Sequence, residues 1–215
     1  MTDVKHQIPD DLLMGYAAGA LPEAFDLVVA THVSLSDDVR ARLESFEAVG
    51  GAMLDEVECA ELAEDSFEAT LARITGMETP TARPTPPSGG IFPGPLRDAV
   101  GGDLDAVKWR SVGMGVKQCV LQSSKDASVR LLSIPAGQAM PMHSHHGTEM
   151  TLVLQGAYAD EDDRFARGDI EVADEDVHHT PVAEAGQDCI CLVATDAPLK
   201  FDGLLPRIAQ PFVGI

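Results

Sequence analysis

Gly137 opens a run in which His143, His145 and Glu149 follow one another before Gly156, with the spacing G-x5-H-x-H-x3-E-x6-G. In an extended strand, side chains at i and i+2 share a face, so His143 and His145 aim together. Glu149 keeps that parity across a short bend of His146, Gly147 and Thr148. Two imidazoles and a carboxylate converging on one point form a donor set for a borderline first-row metal. The glycines at the two ends close turns. Downstream, Gly168 is followed by Asp174, Asp176 and the pair His178-His179, which places a further imidazole in reach of such a set.

The first run resembles the first motif of the cupin family, small β-barrels that hold a metal inside the barrel, and its five fixed positions are filled. The second cupin motif, G-x5-P-x-G-x2-H-x3-N, is matched in part. Counted from Gly168, its histidine is His179 and not His178, whose parity points to the opposite face. Asp174 and Asp176 stand where that motif has Pro and Gly, and Ala183 stands for the closing Asn. The resemblance implies one metal ion on His143, His145, Glu149 and His179, zinc first, with iron or manganese as alternatives. It also implies a hairpin turn built differently from the family's.

Elements able to position these residues divide the chain in two. Residues 1–77 predict helices. Leu12, Leu13 and Tyr16 form a short apolar face after Asp10 and Asp11, and Pro22 opens a second segment running to about Leu35. Ser36 is an N-cap residue followed by Asp37 and Asp38, whose charges favour a helix start. Val39, Leu43, Phe46, Val49 and Met53 then step by three or four, as one helical face requires. Phe67, Leu71 and Ile74 mark a fourth helix. Between Pro80 and Pro95 lie six prolines with Gly89, Gly90 and Gly94, so residues 78–95 are expected to be an extended linker. From residue 96 to 215 the pattern turns to short strands, expected at 108–114, 117–122, 128–134, 150–154, 157–158, 169–172 and 189–194. Strands at that spacing predict an all-β barrel or sandwich. The expectation is a two-domain protein, an all-α half followed by an all-β cupin barrel.

Composition narrows the partners. With 35 acidic and 15 basic residues the net charge is −20. Nucleic acid and anionic membrane surfaces are excluded as partners, because binding them requires cations to displace counterions. A basic protein is the natural counterpart. No apolar run approaches the ~20 residues of a membrane helix, and the first ten residues lack a signal-peptide core, so a cytoplasmic location is expected. The four cysteines do not make a disulfide scaffold. Cys189 and Cys191 face one side of a strand, either as small core residues or as a redox pair near the metal. The acidic runs 160–163 and 174–176 are expected to be solvated turns.

Helices, a Pro-rich segment and an acidic cupin together resemble the ChrR type of anti-sigma factor, most visibly in DDLLMGYAAGALPEAFDLVVATH (10–32) and DGLLPRIAQPF (202–212). The resemblance implies a cytoplasmic regulator. Residues 1–77 would grip a group IV (extracytoplasmic-function, ECF) sigma factor, through faces such as Leu12, Leu13 and Tyr16 or Phe25, Val28 and Val29. The cupin half would release it on an oxidative, singlet-oxygen type signal, and self-association of that half is left open. One departure stands out. Zinc-bearing anti-sigma domains carry H-x3-C-x2-C with a further histidine upstream, whereas here His6 and His32 are joined by Ser36 and Val39 in place of both cysteines. Two histidines without thiolates are a poor structural zinc site, so the helices are expected to fold without metal. The alternative from another class is a metal-dependent cupin dioxygenase with a helical appendage.

Overall fold

The computed structural model describes residues 4–76, 89–197 and the backbone of 200–201. Four helices come first: α1 (Asp10–Ala17), α2 (Glu23–Val33), α3 (Asp37–Asp55) and α4 (Ser66–Thr75). Pro9 and Pro22 sit just ahead of α1 and α2, and Ser36 caps α3 by accepting the Val39 N–H at 3.3 Å.

A fifth helix, α5 (Gly94–Val100), lies partly inside the stretch expected to be linker. That expectation is corrected here for residues 90–95. Pro in the first helical turn and Gly just past the end are helix punctuation as well as linker residues. Gly101 ends α5 at φ 79°, a left-handed conformation that suits glycine. Phe92 and Leu96 are fully buried, and the Asp103 carboxylate accepts the N–H groups of Ile91 and Phe92. The linker positions 78–88 and the family-like segment 202–212 lie outside the described residues.

Twelve strands follow among the described residues: β1 (Arg110–Gly113), β2 (Val116–Ser123), β3 (Ser128–Ile134), β4 (His143–Ser144), β5 (Glu149–Gln155), β6 (Ala157–Ala159), β7 (Arg164–Ala166), β8 (Ile170–Ala173), β9 (His178–His179), β10 (Val182–Ala183), β11 (Cys189–Thr195) and β12 (Lys200–Phe201). They form a six-stranded antiparallel sheet in the order β1-β2-β3-β11-β5-β8 and two three-stranded sheets, β10-β6-β7 and β12-β4-β9. The expected all-α half and all-β cupin half are both present.

Strand parity explains how the halves are joined. Along β11 every residue is buried. Cys189, Cys191 and Val193 face the barrel interior with Val153, Tyr158 and Phe165, whereas Ile190, Leu192 and Ala194 pack on the other side. That outer face, completed by Val129, Leu131, Met150, Leu152 and Leu154, belongs to one core with Phe25, Val28 and Val29 of α2. A sheet apolar on both faces must be covered on both, and α2 provides the outer cover. Phe25, Val28 and Val29 are therefore at most 4% exposed. They and the buried Leu13 do not form the free partner-binding face expected of them.

The chain start ties the halves further. Asp169, itself buried, accepts the backbone N–H groups of Lys5 and His6 at 2.7 and 3.1 Å, and Ile170 N–H donates to the His6 carbonyl. β8 is an edge strand of the large sheet, so this segment covers its open edge.

Candidate metal centre

His143 and His179 are directly opposite one another, because β4 and β9 pair antiparallel with His143 against His179 and Ser144 against His178. The two Nε2 atoms lie 3.2 Å apart. His145, one residue past β4, turns its ring to within 5.2 Å and 5.5 Å of the His143 and His179 ring centres. Ring nitrogens of all three lie within 4.8 Å of one another, and all three residues are buried. His178 is exposed, as its opposite parity requires.

Glu149 opens β5 and sits 9% exposed, with Oε2 3.9 Å from His145 Nδ1. The bend between His145 and Glu149 is held by Asp196, which accepts the Thr148 N–H at 2.8 Å. Gly147 lets that carboxylate approach: a Cβ there would lie 2.0 Å from Asp196 Oδ1. The second turn solves the missing Pro and Gly with an aspartate. Asp174 accepts the Asp176 N–H on its side chain at 3.0 Å and the Val177 N–H on its carbonyl at 3.2 Å, an Asx-type turn that sets the register of His179.

Burial and the neighbouring charges set the protonation of each ring differently. Burial, helped by the neighbouring imidazoles of His143 and His179, lowers His145 to about 4, so this ring is neutral. Neither of its nitrogens has a hydrogen-bond partner, which is costly in a buried ring unless something else uses the lone pair. Burial also lowers His143 and pushes Glu149 up to about 7. At His179 burial opposes the charge, but hydrogen bonds and charges from Glu171 and Asp160 outweigh it and raise the group to about 9. Both carboxylates lie on the Nδ1 side of the ring, so Nε2 is left facing His143 Nε2. The residues fit a metal: three imidazoles with convergent nitrogens and a nearby carboxylate are a borderline-metal donor set.

The cavity beside these residues measures about 70 Å³ and is lined among others by Arg130, Tyr158, Glu171 and Cys191. Water occupies about 30 Å³ and drug-sized ligands need roughly 300 Å³ or more, so this space suits an ion with one or two small ligands. Cys189 and Cys191 are buried with Sγ atoms 3.6 Å apart. The hydrogen bond to Cys189, together with burial, pushes the Cys191 thiol well up, so it is not a thiolate.

Asp160, Glu171 and Tyr158 escaped the sequence reading. Asp160 opens the expected turn at 160–163, but its carboxylate is not solvated: it points inward to His179 Nδ1 at 3.1 Å. Glu171 faces the barrel interior while its neighbours Ile170 and Val172 pack on the helix side, a parity that was legible from β8.

His6 and His32 have other surroundings. His32 is fully buried, and its Nε2 accepts the Ile8 N–H at 3.3 Å. The His6 ring lies on Phe165 with centres 4.6 Å apart. Among the described residues, no group of three or more metal-capable side chains includes either of them.

Residues 97–198 match the family model described as the ChrR cupin-like domain. The whole chain is 50% identical over 215 residues to the anti-sigma-E factor ChrR of Cereibacter sphaeroides, covering 99% of each. The chain belongs to the ChrR family of anti-sigma factors. These are regulators rather than enzymes, and the structure agrees with that of a solved member. In the crystal structure of Rhodobacter sphaeroides SigE in complex with the anti-sigma ChrR, the matched chain superposes with a TM-score of 0.80 at 49% identity, covering 90% of this chain and 100% of that one. Among the described residues no helix is long and apolar enough to cross a membrane.

Proposed function

We propose that this chain holds a group IV (ECF) sigma factor away from RNA polymerase in the cytoplasm and releases it on an oxidative, singlet-oxygen type signal received by the cupin half. The observation that carries the partner reading is an uncovered apolar face on α3 and α4. Val49, Met53, Phe67, Leu71 and Ile74 are 48–70% exposed. On α4 the exposed Phe67, Leu71 and Ile74 recur at helical spacing, the pattern by which an amphipathic helix docks in a partner's groove. The same stretch is acidic: residues 44–76 contain nine carboxylates (44, 47, 55, 56, 58, 61, 64, 65 and 68) and one cation, Arg73. An apolar stripe in a negative field suits a basic partner such as a sigma factor, whose DNA-binding surface is positive. The ChrR relative, crystallised in complex with SigE, supports the same class of partner.

In the cupin half, His143, His145, Glu149 and His179 bind zinc. When bound, zinc ties β4, β5 and β9 together and holds a Lewis-acidic centre next to the small cavity. The chain's own residues exclude bulk water, keep His145 neutral, and place Cys191 against the same space. Division of roles follows from placement: the helices present the gripping face, and the barrel, sharing its outer core with α2, reports on the state of its interior.

The test is binding of full-length protein to purified ECF sigma factors, read by pull-down and by inhibition of in vitro transcription. Phe67→Asp with Leu71→Asp is expected to weaken binding at least 100-fold while leaving the melting temperature unchanged. Undiminished binding and inhibition by that variant overturns the docking face. Failure of the wild type to bind any sigma factor of this class overturns the function.

A further inference from the structure

His179 presents its two ring nitrogens to two different surroundings. Nε2 faces His143 Nε2 in the histidine cluster, 3.2 Å away. Nδ1 lies 3.1 Å from Asp160 Oδ2 and 3.0 Å from Glu171 Oε1. An imidazole that coordinates through one nitrogen keeps its proton on the other, and the acceptor of that proton fixes the tautomer and the ring plane. Both acceptors here are themselves held. Asp160 Oδ1 accepts the N–H groups of Asp162 and Asp163 at 3.0 and 2.9 Å. Glu171 Oε2 accepts the Tyr158 hydroxyl, and the two side chains are 4% and 13% exposed.

We propose that Asp160 and Glu171 are positioning residues that clamp His179 by its Nδ1–H, so that Nε2 is presented to an ion shared with His143 and His145. The proposal rests on the metal reading above. The clamp adds negative charge one bond shell out from a cation and removes the need to orient the ring during binding. Asp160, Glu171 and His179 Nδ1 are also close enough to hold an ion among themselves. The buried nitrogens of His145 argue against that side, because an ion there would leave them without a partner.

Zinc affinity of the full-length protein, measured by competition with a chromophoric chelator, tests this. Asp160→Asn and Glu171→Gln keep an acceptor but lose charge, and each is expected to weaken zinc about 10-fold. Glu171→Leu loses both and is expected to weaken it about 100-fold, the range seen when outer partners of metal-bound histidines are removed. Glu175→Gln on the exposed turn leaves affinity unchanged. The cobalt(II) visible spectrum should shift in the first three variants, which a purely structural role would not produce. If Glu171→Leu fails to fold in excess chelator, the two isosteric variants still decide. So does ¹⁵N NMR of the zinc-loaded wild type, in which His179 should be protonated at Nδ1 and metal-bound at Nε2. Wild-type affinity in all clamp variants, or coordination through Nδ1, overturns the clamp alone. Zinc retained by a His143→Ala, His145→Ala double variant overturns the metal reading and the clamp with it.

Discussion

Histidines are buried in both halves of this molecule, and their surroundings give them different work. In the barrel, His143 and His179 face each other across a strand pair and His145 keeps both nitrogens unpartnered. In the helical half, His32 is equally buried but spends Nε2 on the Ile8 N–H, and His6 lies on the ring of Phe165. Four and seven residues beyond His32 stand Ser36, which caps α3, and Val39, which is buried in the core. Burial alone does not make a metal site. What separates the two regions is whether further donors converge: three imidazoles in the barrel with a carboxylate 3.9 Å from one of them, two separately engaged rings in the helices. The barrel gathers its donors with a strand pair and two aspartate-held turns, whereas in the helices a hydroxyl and an isopropyl group have taken up capping and packing.

The largest expected effect breaks the barrel side. Replacing His143 and His145 together by Ala should take the metal from one ion per chain to none by elemental analysis, whereas His178→Ala should retain it in full.

A second change tries to make the helical site resemble the barrel. Ser36→Cys with Val39→Cys completes the H-x3-C-x2-C spacing that starts at His32, with His6 upstream. The expected outcome is a gain of one zinc per chain. Without metal this variant should be less stable by about 1 kcal/mol from loss of the serine cap.

The third concerns pH. Burial lowers His32 from 6.5 to about 4, so between those values the unfolded chain binds the proton and the folded chain does not. Stability contributed by neutral His32 is fully present above about 6.5 and falls as pH drops toward 4, by about 3 kcal/mol over the window. Urea denaturation of the wild type and of His32→Gln, which keeps an acceptor for Ile8 but does not titrate in this range, should differ in slope there. Equal slopes would show that His32 is not the group responsible.

The smallest effect is expected at His6. His6→Ala removes an aromatic contact with Phe165 and should cost about 1 kcal/mol in thermal or chemical unfolding, with metal content unchanged.

Much of this was legible because it was local. The cluster His143, His145 and His179 followed from strand parity and motif register, and the start of α3 from Ser36, Asp37 and Asp38. The long strands β3, β5 and β11 showed as apolar or alternating runs. Three things were hidden for physical reasons. α5 was masked because prolines that begin a helix look like prolines that interrupt one. The two-residue strands β4 and β9 carry no periodicity, although their pairing brings His143 and His179 face to face. The cover of α2 over the large sheet is a long-range contact. Its one local sign was that β11 is apolar at every position but its last, which already implied burial on both faces. The run 160–163 forms the solvated turn that four acidic residues usually make, and only the fold turns the Asp160 carboxylate inward.

Zinc stoichiometry combined with zinc K-edge absorption on the full-length wild type tests the central claim most directly, since it counts ions and identifies their neighbours in one sample. The account predicts one ion per chain in a shell of nitrogen and oxygen at about 2.0–2.1 Å. Two ions per chain, or sulfur scattering at about 2.3 Å, would contradict it.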